Sequence, residues 1–241
     1  MRCMRLADFK LRKGKDESSA EILLKGDAGY ESIIRRAFPD IRFRQAPPEH
    51  FGKFDFGLLV MTPGNEKALG DFLKMLHTNV MIEDDLDACF SLGYYSSVFL
   101  GIRLRTRLGR LVHDVKYRRI SAWSKRRKAG KTADRMAGFI GAHPLYSGAS
   151  VVVSVPPTVQ FDKTGFDLAA FLAERIAQKT NKANCSEHIR TAKPKRPMKD
   201  FATLEGKFDN VANAFEPTDS QFFEGKDVII VDDIYESGAT M

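Results

Sequence analysis

Apolar and polar positions change rhythm several times along the chain, and each rhythm predicts an element. Residues 1–20 are mostly polar and predict a loose start. In GYESIIRRAF, Ile33, Ile34 and Phe38 fall at helical spacing after a start at Asp27 or Gly29. The short apolar run Phe54–Met61 predicts a strand, and the TPGN that follows predicts a turn. Leu69, Phe72, Leu73 and Leu76 then recur as one face of an amphipathic helix. Together these pieces make a small α/β unit ending near Asp87, in which no chemistry is legible.

Val98, Leu100, Ile102 and Leu104 alternate, with arginines between the last of them, and predict an edge strand. Spacing turns helical at Leu108, Leu111, Val112 and Val115, which places His113 and Lys116 on that helix. A further helix over Thr132–Gly141 carries Met136, Phe139 and Ile140 inward and closes before Pro144. The β-branched run SVVVSVPP predicts a strand buried on both faces of a parallel sheet. Leu168, Phe171, Leu172 and Ile176 line one face of a helix capped by Asp167. A weaker strand over Cys185–Ile189, an exposed basic arm from Arg190, and the buried strand DVIIVDD complete the chain. Strand, helix, strand, loop, strand is the order of a doubly wound, mostly parallel α/β sheet, whose ligands bind beyond the carboxyl ends of its strands. The expected division is an N-terminal α/β extension over residues 1–90 and the parallel-sheet domain over 91–241.

Composition changes this picture little. The chain has 241 residues, 43% hydrophobic and 29% charged, which suits an ordinary water-soluble protein with a real core. It holds no apolar run of about 18 residues, so no membrane partner is expected. The basic start lacks the apolar stretch of a secretory signal. Cys3, Cys89 and Cys185 are too few and scattered for a disulfide framework or a Cys₄ zinc site, and predict reduced thiols in the cytoplasm. Charge does add something. The net charge is +7, and Arg103–Lys131 holds twelve Lys or Arg against the single acid Asp114, a density that points to an anionic partner or to a solvated helical face.

The candidate chemistry lies in VIIVDDIYESGATM, residues 228–241. Two acids at the end of a buried strand need cations, hydroxyl donors or water. After them Gly238 permits an unusual backbone angle, Ala239 a close approach, and Ser237 and Thr240 offer hydroxyls. Successive N–H groups in such a loop cradle a phosphate. An acid pair beside a phosphate cradle suits one ligand that carries sugar hydroxyls, Mg²⁺ and a phosphate. The Mg²⁺-binding strand of P-loop NTPases is the competitor, but its glycine-rich loop is missing. KRRKAGKT has Lys125 where the first glycine belongs, and no apolar strand before it.

These residues resemble the phosphoribosyl pyrophosphate (PRPP) motif of type I phosphoribosyltransferases. LVHDVKY, VVVSVPP, TGFDLAAFLAERIA and NVANAF follow in the order of the ComF-type, competence-associated branch, a resemblance that spans about Tyr94–Met241. It implies that Asp232 and Asp233 take the ribose hydroxyls and influence Mg²⁺, directly or through water. Ser237, Gly238, Ala239 and Thr240 would hold the 5-phosphate, and the turn at Val155 and Pro156 would face the pyrophosphate. Glu236 stands where some members carry an acid that handles a proton on the base, or else it faces solvent. Lys163 and the arm Arg190–Lys199 are the cations available to the leaving group, and the arm either closes over the site or stays a surface loop. The implied partners are PRPP, DNA or RNA through Arg103–Lys131, and a second copy of the chain.

The chain also departs from the family. Thr164 stands where ComF-type proteins usually carry arginine, which removes a bidentate phosphate donor that Lys163 replaces only in part. The upstream cysteine-rich zinc module of many members is replaced by a different α/β unit. His113, Lys116 and Tyr117 match a family pattern and read as structural residues. The helix and strands that follow the phosphate loop in the family do not follow Thr240, so the chain is expected to be a truncated product with an incomplete sheet. A transferase, a non-catalytic PRPP or nucleotide sensor, and a nucleic-acid-binding protein are the functions these residues leave open.

Overall fold

The computed structural model describes residues 2–13, 20–60, 65–84, 86–157, 166–192, 203–219 and 221–234. Contacts divide the chain into two compact units, Met1–Gly93 with Ala142–Leu145, and Tyr94–Gly141 with Tyr146–Met241. Both units mix helices and sheets.

In chain order the first unit comprises β1 (Arg2–Met4), β2 (Asp8–Lys13), β3 (Ala20–Lys25), α1 (Gly29–Ala37), β4 (Arg42–Gln45), β5 (Phe56–Val60), α2 (Asn65–Thr78), β6 (Val80–Glu83) and β7 (Cys89–Ser91). The two helices and β5 fall where apolar spacing places them. The loose start does not: β1 pairs antiparallel with β6, and β2 pairs along its length with β3. Its polarity misled because these strands bury only part of their residues. Met4 and Leu6 are in the core and Phe9 packs against it, while the charges between them face water. The sheets run β2-β3-β5-β4 and β1-β6-β7, all antiparallel. Their core joins Ile22 and Leu24 of β3 to Ile33 and Ile34 of α1 and to Leu69, Phe72, Leu73 and Leu76 of α2.

The chain continues with β8 (Ser96–Phe99), β9 (Ile102–Arg105), α3 (Arg107–Tyr117), α4 (Ala122–Ala142), α5 (Pro144–Ser147), β10 (Val151–Ser154), α6 (Leu168–Thr180), β11 (Ala183–Asn184), β12 (Ile189–Thr191), α7 (Leu204–Val211), β13 (Phe215–Pro217) and β14 (Val228–Val231), all in the second unit except the end of α4 and the first half of α5. Three elements differ from expectation, the first being the weak strand over Cys185–Ile189, most of which is a tight helical turn between β11 and β12. The alternating run at Val98 is a hairpin rather than one strand. Leu100 and Gly101 turn the chain with φ of 49° and 77°, the positive pair a tight two-residue connection needs. Helix α4 also begins ten residues before Thr132. Its inward face there is Lys125, Ala129 and Ala133, too small or too charged to register as apolar spacing.

The chemistry-bearing frame is the sheet β11-β10-β14, in which both pairings are parallel. All four residues of β10 are buried. Val152, with Ile229 and Val231 of β14, packs on Val112, Val115, Ala129, Leu172 and Ile176 from α3, α4 and α6. Val151 and Val153 face the other way, onto Cys185, Phe222 and Phe223. Layers on both faces explain the unbroken β-branched run. Helix α6 starts as its sequence dictates, with the Asp167 carboxylate accepting from the Ala170 N–H at 2.9 Å. Asn181, at φ 54°, ends it. Among the described residues no helix is long and apolar enough to cross a membrane.

Candidate functional site

Strand β14 runs beside β10 in parallel register, from Val151 opposite Val228 to Ser154 opposite Val231. The pairing outlasts the strands by one bond, since the Val155 N–H donates to the Val231 carbonyl at 3.0 Å. The turn at Val155 and Pro156 is thereby held beside the acids that follow Val231. Four of the residues singled out in the sequence, Val155, Pro156, Asp232 and Asp233, thus share the carboxyl edge of one strand pair. Lys163, Glu236, Ser237, Gly238, Ala239 and Thr240 lie outside the described residues.

The two acids are not equivalent. One oxygen of Asp232 accepts from the Asp233 N–H at 2.7 Å, which fixes the turn of the chain off the strand. Asp233 is nearly enclosed, with 10% of its side chain exposed, and Lys116 Nζ donates to its Oδ1 at 2.9 Å. Burial opposes the charged ammonium, but the charge of Asp233 and its hydrogen bond outweigh burial. Tyr117 and Asp232 assist, and the Lys116 pKa lies above its ordinary value. Sequence reasoning had Lys116 on the correct helix and read it as structural. Its bond to Asp233 joins α3 to the residues that follow β14, across 117 positions of sequence.

The basic stretch Arg103–Lys131 separates into two sets. Lys116, Lys125 and Lys128 turn inward, and Lys128 and Arg118 both meet Asp114. The other cations, Arg118 included, are exposed. Arg127 lies over the Trp123 ring at 5.1 Å, and Trp123 is itself 68% exposed. These two line an open groove of about 400 Å³ with Arg126, Gly130, Phe171 and Arg175. The expected arm begins differently from its description as a loop. Arg190 belongs to β12, which pairs with β13, and its guanidinium is held by Glu216 at 2.6 Å. Lys193, Lys195, Arg196 and Lys199 lie outside the described residues.

Among the described residues no three His, Cys, Asp or Glu side chains gather as a self-sufficient metal cage. Two neighbouring carboxylates are the described residues that could take a Mg²⁺ ion. This ion keeps several waters and takes one or two carboxylates from a protein. Asp232 and Asp233 are the residues that would hold it, and it would supply positive charge to a departing phosphate group. Comparison with family models, with curated proteins and with solved structures returned no match for this chain.

Proposed function

We propose that the second unit is a type I phosphoribosyltransferase-like domain of the ComF kind, with the corresponding doubly wound sheet, and that it binds PRPP. The observation that carries this reading is the acid pair at the carboxyl end of β14, held beside the turn that leaves β10. Parallel strands joined through a helix present their ligand sites at that edge. Asp232 and Asp233 take the vicinal hydroxyls of the ribose, and the Val155–Pro156 turn faces the diphosphate. In the reaction a nitrogen nucleophile forms its bond to ribose C1 as the bond from C1 to the diphosphate oxygen breaks, and pyrophosphate leaves with the bonding pair. Positive charge grows on the ring, so a carboxylate pair beneath the sugar favours the transition state. Glu236 is the candidate for the proton lost by the nucleophile.

Calorimetry with Mg²⁺ and PRPP tests the reading. Binding heat is expected from the wild-type chain, and the Asp232→Asn/Asp233→Asn variant should weaken it by at least about tenfold, or 1.4 kcal/mol. A wild-type chain that gives no heat ends the proposal. Pyrophosphate release with a panel of bases and amines then separates a transferase from a sensor.

A second reading is favoured by the exposed cations of Arg103–Lys131 and by the Arg127–Trp123 pair beside the arginine-lined groove. An aromatic face among arginines suits nucleic acid, by stacking and by phosphate contact. DNA and RNA binding measured against salt decides it: affinity that does not fall with salt excludes a phosphate-tracking surface.

A further inference from the structure

Lys125 is the least explained charge in the second unit. It is set in the first half of α4 with 3% exposure, and its ammonium has no hydrogen-bond partner among the described residues. An aromatic ring lies nearby, with Nζ 6.0 Å from the centroid of Phe166. That distance is the outer limit of a cation–π contact, so the ring does not replace a counter-ion. A sealed ammonium with no hydrogen-bonded anion among the described residues is costly, and a core built for stability alone would place an apolar side chain there.

The surroundings say what the charge awaits. Phe166 immediately precedes Asp167, the cap of α6. Because α6 joins the parallel strands β10 and β11, it runs opposite to them, and its N-terminus lies at the carboxyl edge that holds the acid pair. A helix start carries free N–H groups and partial positive charge. The Asp167 carboxylate engages one of those N–H groups, that of Ala170. A buried cation beside a helix start, at the edge where ligands enter, makes a receptor for a compact anion.

We propose that Lys125 is a binding residue for the diphosphate end of the ligand, taking inorganic pyrophosphate as well as the intact sugar phosphate. The identity of the anion rests on the PRPP reading. In this arrangement the acid pair holds the sugar while Lys125 and the start of α6 hold the leaving group.

Thermal shift and calorimetry with inorganic pyrophosphate alone, on wild type and Lys125→Met, test it. Wild type is expected to gain stability as pyrophosphate rises. Lys125→Met should be the more stable protein without ligand and bind pyrophosphate at least about tenfold more weakly. Should Lys125→Met fail to fold, Lys125→Gln carries the same comparison. A variant that binds pyrophosphate as tightly as wild type, or a wild type that does not bind it, overturns the assignment. Pyrophosphate bound through Lys125 without any PRPP binding removes the functional reading and leaves the anion site standing. PRPP bound equally by wild type and Lys125→Met does the reverse.

Discussion

Glu21 in the first unit and Asp233 in the second are carboxylates of similar enclosure, with 9% and 10% of their side chains exposed. Their settings differ. Glu21 lies within β3, between neighbours on both sides, and Arg44 donates to it through Nε at 3.0 Å and through Nη2. Arg12 adds a second guanidinium at 3.7 Å. Asp233 lies past the end of its strand and meets one ammonium, on a flexible stem, at 2.9 Å. Two planar forks fix a carboxylate for good, whereas a point charge with rotatable donors is exchangeable for a hydroxyl or a metal ion. Glu21 ties strands of a sheet together, whereas Asp233 is the acid that the PRPP proposal needs able to exchange its partner. The former sits mid-strand with redundant partners, the latter past a strand end with one ammonium among the described residues.

The largest effect should come from stripping Glu21. Replacing both Arg12 and Arg44 by alanine leaves a buried charge without its partners and is expected to lower unfolding free energy by about 3 kcal/mol. Urea denaturation measures it. Adding Glu21→Gln to that variant should recover part of the loss, because a buried amide costs less than a buried anion. A loss much smaller than about 1 kcal/mol, the value of an exposed pair, would show that Glu21 is not sealed.

His143 sharpens the contrast by proton rather than by mutation. Fully buried, between Phe72 at 5.0 Å and Phe90 at 4.8 Å, it is desolvated enough for its pKa to fall to about 4. The folded chain therefore keeps it neutral, while the unfolded chain protonates it near its reference value of about 6.5. Its contribution is complete above that value and is lost as pH falls toward 4, about 3 kcal/mol in all. Urea midpoints at pH 7 and pH 4 should drop more steeply in wild type than in His143→Phe. Equal slopes would mean that the imidazole reaches water.

Which parts of this were legible follows from how each residue signals its surroundings. Leu69, Phe72, Leu73 and Leu76, or Val151 to Val153, announce burial by being apolar at a fixed period, and both elements form where that period places them. The Asp167 cap was legible for a similar reason, because one short acid before an apolar helix has one local job. Strands β1 and β2 were hidden by charges on their solvent side, and the first half of α4 by an inward face of alanines and a lysine. The candidate site divides in the same way. Asp232 and Asp233 are neighbours in sequence, so their shared place just after β14 was legible. Lys116 reaches Asp233 across 117 positions, and Lys125 reaches Phe166 across a whole strand and loop, so only the fold brings them in. Nothing in a run such as SKRRK says which lysine points inward.

The smallest effect is the one that tests the exchangeable partner directly. Lys116→Met removes the ammonium from Asp233 and is expected to cost about 1.5 kcal/mol, the low end for a hydrogen bond to a charged group, since the lysine itself is about a third exposed. Because the Lys116 pKa is raised in the fold, its contribution is complete below the unfolded value of about 10.4 and is lost only as pH climbs through the folded one. The stability difference between wild type and Lys116→Met should therefore stay flat from about pH 6 to pH 9. A difference that shrinks within that range would assign the effect to some other group. The same variant asks whether Asp233 is held ready or simply held. With methionine at 116 Asp233 loses its ammonium, and calorimetry with Mg²⁺ alone should show tighter binding than wild type, by about tenfold for 1.4 kcal/mol of competition removed. Replacing one arginine of the Glu21 pair should create no such affinity, because the second guanidinium still covers the acid.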